Sequence, residues 1–354
     1  MSFPGKIALI TGAQTVNKDN FHSADRLAAK YGNAKILHIP RPDFNIIKEQ
    51  ITDIVEKLAE DREIRAIIFN QAVPWSNAAV DKLRETRDDI FIIYCLPHEP
   101  TAEASKRANL LFNLNEPGIG EAMVKQTKKQ GAKVFIHYSF PRHRSLGFIN
   151  IRRDKIIETC AAEDIKYVDA EALDPEGEAG LGAAQQFILD EVPKLVAKYG
   201  EDTAFFCTNC HLQTSLIKAV VDCHAIYPQP CCPSPYHGFP EALGINVREN
   251  QDDLNYVISE ACRIAAQKNM TDRLSTWPVS ASMIFTNAGA EYAIKWIKDE
   301  VPKDEIDSKV LLECMYDYII EVVGEESNIH MVSNTENGIT YNNYKLLLMS
   351  YLDF

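Results

Sequence analysis

Hydrophobic positions along the chain fall into two rhythms that replace one another at short intervals. Residues 6–11 (KIALIT) are nearly all apolar and end at Gly12, the signature of a parallel strand buried on both faces. A helical pattern over 21–31 closes at Gly32, and a strand is expected over 34–39. Over 46–59, Ile47, Ile51, Ile54, Val55 and Leu58 share one helical stripe. Strand 66–69, helix 77–87 and strand 90–96 continue the alternation, with a further strand over 110–114. Strands and helices exchanging at this pitch predict a doubly wound parallel sheet.

The rhythm then restarts. Helix 118–129 ends at Gly131, strand 133–138 (KVFIHY) follows, and helix 149–162 leads to strand 166–168. Helix 183–198 contains Pro193, which predicts a kink, and is followed by strand 203–206 and helix 211–224. Residues 227–244 (YPQPCCPSPYHGFPEALG) carry five prolines and read as an ordered loop. Helices are expected over 252–267, 288–299 and 308–323, with short strands and a turn at 336–338 in the tail. The fold class is thus α/β, with two lobes of parallel sheet: 1–115 plus about 277–330, and 116–276 plus about 331–354.

Composition narrows the partners. The chain has 354 residues and a formal charge of -13, a field that repels phosphate backbones and disfavours direct nucleic-acid binding. No run approaches the roughly 20 apolar residues a membrane helix needs. As given, the N-terminus shows no basic-then-apolar leader, which reads as cytoplasmic, or as extracytoplasmic had a leader been removed. Nine scattered cysteines fit reduced thiols better than a disulfide scaffold.

Cys207, Cys210 and His211 have the C-x-x-C-H spacing of covalent haem attachment. They lie where an apolar strand gives way to an amphipathic helix that Asn209 can cap. A zinc reading would recruit Cys231–Cys232, but structural pairs are usually spaced by two to four residues rather than adjacent. A redox pair at a helix start is a further alternative. Buried packing accounts best for both cysteines of the C-x-x-C pair, so no metal, haem or other cofactor is expected. Dinucleotide, P-loop, nucleophile-elbow and H-E-x-x-H motifs are absent from the sequence.

The candidate binding residues follow predicted strand ends, where open α/β sheets bind ligands. Gln14, Thr15, Asn20, Asn70, Gln71 and His98 would line one wall of an interlobe cleft. Ser139, Arg142, His143, Thr208, Asn209, Ser234, Tyr236 and His237 would line the other. Amides, hydroxyls, imidazoles and one arginine suit hydrogen bonding to a polar small molecule. An enzyme using His98/Glu99 or Cys207/His211 is the competing class.

The stretches KIALITG, RAIIFNQAVPWSNAAVDKLRE, IFIIYCLP and STWPVSASMIFTNAGAEYAIKWI resemble the first lobe of the type I periplasmic-binding-protein superfamily and the return into it. DTAFFCTNCHLQTSLIKAVVD resembles a second-lobe strand ending in a polar turn. HYSFPRH, GAAQQFILDEVPKLVAKYG, CCPSPYHGFPEALGI and GITYNNYKLLLMSYLDF are similar to bacterial domain-of-unknown-function family 3798. The superfamily resemblance implies a non-catalytic protein that closes by hinge motion on a ligand between two lobes. It also implies a possible protein partner that reads the closure, in a solute-binding or sensing role. With the first strand at residue 6, a regulator of this kind would lack its own DNA-binding domain.

Overall fold

A computed structural model describes residues 3–12, 18–41, 48–247, 253–324 and 327–354. The chain opens with β1 (Lys6–Gly12), α1 (Lys18–Tyr31), β2 (Ile36–Arg41), α2 (Lys48–Glu60) and β3 (Ile64–Phe69). It continues with α3 (Ser76–Arg84), β4 (Phe91–Cys95), α4 (Thr101–Ser105) and β5 (Leu110–Leu114). Next come α5 (Glu116–Lys129), β6 (Val134–Ser139), α6 (Pro141–Arg144), α7 (Gly147–Ala162) and β7 (Lys166–Glu171). Then follow α8 (Gly180–Tyr199), β8 (Thr203–Cys207), α9 (Gln213–Asp222), α10 (Phe239–Leu243), α11 (Leu254–Gln267) and β9 (Ser275–Thr276). The chain closes with α12 (Ala281–Ile297), α13 (Ser308–Val323), β10 (Ile329–Glu336), β11 (Ile339–Met349) and β12 (Leu352–Asp353). These elements divide into two compact units, Met1–Leu114 with Ala281–Leu347, and Asn115–Ser280 with Leu348–Phe354.

The first unit is built on a seven-stranded sheet in the order β10-β11-β5-β4-β3-β1-β2. Ile7, Ala8, Leu9 and Ile10 are all buried, which is why β1 reads as an unbroken apolar run rather than an alternation. Helix α12 is apolar on nearly every side: Met283, Ile284 and Phe285 are all buried, and Phe285 stacks on Phe112 at 4.9 Å. The helix begins at Ala281, ahead of the expected 288, because a helix buried all round shows no amphipathic period at its start.

The tail corrects the sequence expectation. The pattern places about 331–354 in the second lobe, but β11 pairs parallel with β5, Tyr344 opposite Leu111 and Leu347 opposite Leu114. Strand β10 folds back over Asn337–Gly338, both at positive φ, the requirement of a tight two-residue hairpin. Only Leu348–Phe354 belongs to the second unit.

That unit has a smaller parallel sheet, β7-β6-β8. Two isolated bridges, Ala204 to Ile226 and Tyr227 to Leu274, and the β9–β12 pair extend its framework. The last residue closes the core: Phe354 is buried and meets Phe239 edge-on at 4.8 Å. Helix α8 runs through Pro193 as one element.

Candidate functional site

At the carboxyl ends of the first unit's strands, the loops after β3 and β4 are sewn together. Ala72 N–H donates to Cys95 O and His98 N–H to Ala72 O, each at 2.9 Å. Two non-glycine residues in these loops hold left-handed backbone, Trp75 at φ 77° and Leu96 at φ 49°, a strain that persists only where the surroundings over-determine it. Glu99 supplies part of that hold, accepting from Asn77 N–H at 2.7 Å. Its carboxylate thus serves the start of α3, and desolvation raises its pKa. Trp75, at 49% exposure, presents its indole to solvent at this end.

Arg41, which sequence reasoning passed over, ends β2 and is almost fully buried. Its guanidinium donates to Gln71 Oε1 at 3.2 Å, and Gln71 Nε2 lies 3.4 Å from His98 Nε2. Desolvation, then the nearby Arg41 charge, lower the His98 pKa below the ordinary histidine value. A cation between two prolines just past the predicted strand was the signal available for Arg41. Asn70 is buried and donates to Thr286 Oγ1 on α12, and Asn20 is buried on α1. Gln14 and Thr15 lie outside the described residues. Thr11 Oγ1, His38 and Asp25 form a chain, 2.8 Å from Oγ1 to Nε2 and 2.6 Å from Nδ1 to the carboxylate. Thr11 is fully buried and its hydroxyl donates to Gly12 O, so this chain braces the β1 end.

The second unit gathers a neutral cluster in the same structural position. The loops after β6 and β8 meet where Thr208 N–H donates to Tyr138 O at 3.1 Å. His143 Nδ1 is 2.9 Å from Thr208 Oγ1, which is 3.3 Å from Ser139 Oγ. Asn209 Nδ2 approaches His143 Nε2 at 3.5 Å, and Asn209 Oδ1 accepts from His211 N–H at 2.8 Å. A single tautomer satisfies the chain: Nδ1–H donates to Thr208, whose hydroxyl donates to Ser139, while Nε2 faces the Asn209 amide. Desolvation, with Arg142 next, lowers the His143 pKa and favours this neutral form.

Arg142 stands apart from that cluster. Its Nε and Nη2 each donate to Asp174 at 2.8 Å, a bidentate pair that takes up the fork. On the proline-rich loop, Ser234 Oγ accepts from Tyr236 N–H at 3.2 Å. His237 Nδ1 lies 2.8 Å from the Cys232 carbonyl oxygen, so that imidazole is held within its own loop.

The cysteines separate. Cys207 is fully buried at the end of β8, and burial pushes its thiol up to about 12. That removes Cys207 from the nucleophile role of the enzyme alternative. Cys210 departs from the expectation that both cysteines pack: it is exposed, with Sγ 3.2 Å from Cys231 Sγ and 3.8 Å from Cys232 Sγ. Hydrogen bonds from those two thiols hold the Cys210 pKa well below the ordinary thiol value. Its neighbours, 21 and 22 residues on, are the adjacent pair that the zinc reading of the sequence would recruit.

Among the described residues, no helix is long and apolar enough to cross a membrane. The chain is 29% identical over 195 residues, 55% of its length and 88% of the relative's, to an uncharacterised protein of Treponema pallidum (strain Nichols). Its structure is similar, at a TM-score of 0.86 with 21% identity over 100% of both chains, to a proposed transcriptional regulator of Clostridium difficile 630. A periplasmic solute-binding protein of an ABC transporter from Actinobacillus succinogenes 130z, solved with D-allose, aligns at a TM-score of 0.52. That pair shares 15% identity over 84% of this chain and 93% of the other. These likenesses establish the fold, two Rossmann-like units of the type I periplasmic-binding-protein kind. The family of proteins of unknown function DUF3798 matches residues 5–275, and the chain belongs to that family.

Proposed function

We propose that the protein is a non-catalytic binding or sensing protein for a small, polyhydroxylated polar solute. The observation that carries this reading is the neutral cluster of Ser139, His143, Thr208 and Asn209 at the carboxyl ends of β6 and β8. It offers donors and acceptors of both kinds without a reactive nucleophile, the chemistry that orients hydroxyl groups without converting them. Gln71, His98 and the exposed Trp75 indole hold the equivalent strand-end position in the first unit. An exposed indole on one of these loops, with an amide and an imidazole at the same strand ends, suits the apolar face and polar edge of a sugar or cyclic polyol. The D-allose bound by the Actinobacillus solute-binding protein is consistent with that class. In this reading hinge closure accompanies ligand binding, and a protein partner reads the closed state.

The test is a thermal-shift screen with aldohexoses, hexitols, nucleosides and amino acids, paired with native mass spectrometry of the purified chain. A polyhydroxylated compound should raise Tm in proportion to the logarithm of its concentration. Thr208→Val should weaken that compound about 10-fold or more by removing the hydroxyl between His143 and Ser139. The reading fails if no compound shifts Tm and the chain flies as the bare mass, or if a bound compound is turned over.

A further inference from the structure

The second unit carries a set of metal-ligating side chains that its strand-end cluster does not use. Cys210 opens the single 3-10 turn after β8. Cys231, Cys232 and His237 sit on the proline-rich loop. One ligand atom from each of the four lies within 4.8 Å of all the others. The three sulfur pairs are 3.2, 3.8 and 3.9 Å apart. A tetrahedral ion with metal–sulfur bonds of about 2.3 Å places its thiolates about 3.8 Å from one another. All three are free thiols, well beyond the roughly 2.05 Å of a disulfide. We infer that Cys210, Cys231, Cys232 and His237 form a Cys3His site that binds one zinc ion.

Adjacent cysteines are an uncommon ligand pair, and the loop explains how they converge. Pro228, Pro230, Pro233 and Pro235 bracket them, each fixing its own φ and restricting the residue before it. Arg152 on α7 is buried and donates from Nη1 to the Cys231 carbonyl at 3.1 Å while its Nε pairs with Glu116 at 2.6 Å. That guanidinium fixes the loop backbone and places a positive charge beside a site that three thiolates would leave net negative. Gln213 ties the other side, donating to Cys207 O at 3.0 Å and accepting from Tyr227 at the loop's start.

His237 is oriented in the manner of a metal ligand. With Nδ1–H donating to the Cys232 carbonyl at 2.8 Å, Nε2 is the nitrogen that carries the lone pair. Exposure is graded across the set: Cys231 is buried, His237 half-buried, and Cys210 and Cys232 exposed. An ion therefore has a route in from solvent. Three thiolates and an imidazole select a borderline-soft ion over magnesium or calcium. The closed donor count marks a structural site, pinning the loop of Ser234 and Tyr236 to the turn after β8. This inference stands independently of the solute reading.

The experiment titrates the full chain, reduced and metal-free, with Co2+ and then Zn2+. One equivalent of Co2+ should give the intense visible d–d bands of a tetrahedral site and a near-ultraviolet thiolate charge-transfer band. One equivalent of Zn2+ should abolish both. Cys210→Ser and Cys232→Ser should each lose the charge-transfer intensity. His237→Ala should weaken Zn2+ by more than the roughly 10- to 100-fold that loss of a second-shell partner costs. Cys262→Ser, outside the set, should titrate like the unaltered chain, and circular dichroism checks that each variant is folded. Octahedral or absent bands with the folded, reduced chain would overturn the site. So would unchanged spectra in Cys210→Ser, or a Cys210–Cys231 disulfide in the chain isolated without reductant.

Discussion

The two units meet the same structural problem, polar groups at the carboxyl ends of parallel strands, with different means. In the first, the loops after β3 and β4 rest on a seven-stranded sheet, and the cation at that end is Arg41, buried beside Gln71. In the second, three strands carry the loops, the cluster is neutral, and the local arginine is diverted to Asp174. The smaller sheet is supplemented from outside itself, by Arg152 beneath the proline-rich loop and by the terminal Phe354 ring. Residue type at a strand end thus says little about the charge a ligand would meet. Burial and the nearest carboxylate decide it.

Removing each unit's buried brace in turn should have the largest effect on which unit unfolds first. Arg152→Met leaves Glu116, whose side chain is 15% exposed, without its partner, and such losses cost about 3–5 kcal/mol. The second unit should unfold first in urea, seen as early cleavage of its peptides in pulse proteolysis. Arg87→Met is the counterpart in the first unit, where Arg87 donates to the Ala59, Asp61 and Ile64 carbonyls. Stranding those acceptors costs on the order of 3 kcal/mol, and the order of unfolding should reverse. Equal loss from both units in either variant would show that they do not unfold separately. Phe354→Ala empties a buried aromatic position at a cost of about 3 kcal/mol, again from the second unit, and should lower its urea midpoint alone.

Acid should discriminate the units more gently. His137, buried within β6, is desolvated, so its pKa lies below the ordinary value despite Asp169 3.6 Å away. His143 in the same unit and His98 in the first shift the same way. A histidine depressed in the folded state binds its proton more readily when unfolded. Stability is therefore full above the unfolded pKa of about 6.5 and falls as pH drops from there towards the folded values. His98 is exposed and solvent screening reduces its share, so the second unit should lose more. His137→Phe should flatten the decline in its urea midpoint below pH 6.5, and an unchanged slope would remove His137 as its cause.

What could be read in the sequence follows from how local each determinant is. Strands such as 6–11 and 90–96 announced themselves because parallel strands buried on both faces are continuous apolar runs. The start of α12 was hidden for the converse reason, since Thr286 and Asn287 are buried along with its apolar residues. The tail's strand character was visible in its alternation, but its partner β5 lies more than two hundred residues earlier, at Leu111 opposite Tyr344. No local pattern encodes that pairing. The thiol set is an intermediate case: Cys231 and Cys232 can be named from sequence as candidate zinc partners, but that Cys210 meets them, 21 residues away and after α9 turns the chain back, is tertiary. Polar strand-end residues could be named from sequence, whereas their engagement, Asn70 by Thr286 and Glu99 by Asn77 N–H, belongs to tertiary structure.

The smallest expected effect is the most informative about the two strand ends. Sequence reasoning offered Arg142 as the cation that would hold a ligand, yet its fork is filled by Asp174, with Glu176 Oε1 at 3.1 Å. Both carboxylates are its own unit's, and the arginine side chain is 43% exposed. An exposed ion pair of this kind is worth about 0–1 kcal/mol, so Arg142→Gln should leave the urea midpoint nearly unchanged. It should also leave affinity for a polyhydroxylated solute within about 2-fold, because a filled guanidinium has little left to offer. Asp174→Asn separates the alternatives by releasing the fork. If binding strengthens for an acidic sugar and not for a neutral one, the carboxylate is what keeps this end neutral. If Arg142→Gln alone weakens a neutral sugar 10-fold or more, the arginine leaves Asp174 for the ligand, and the contrast between the two strand ends collapses.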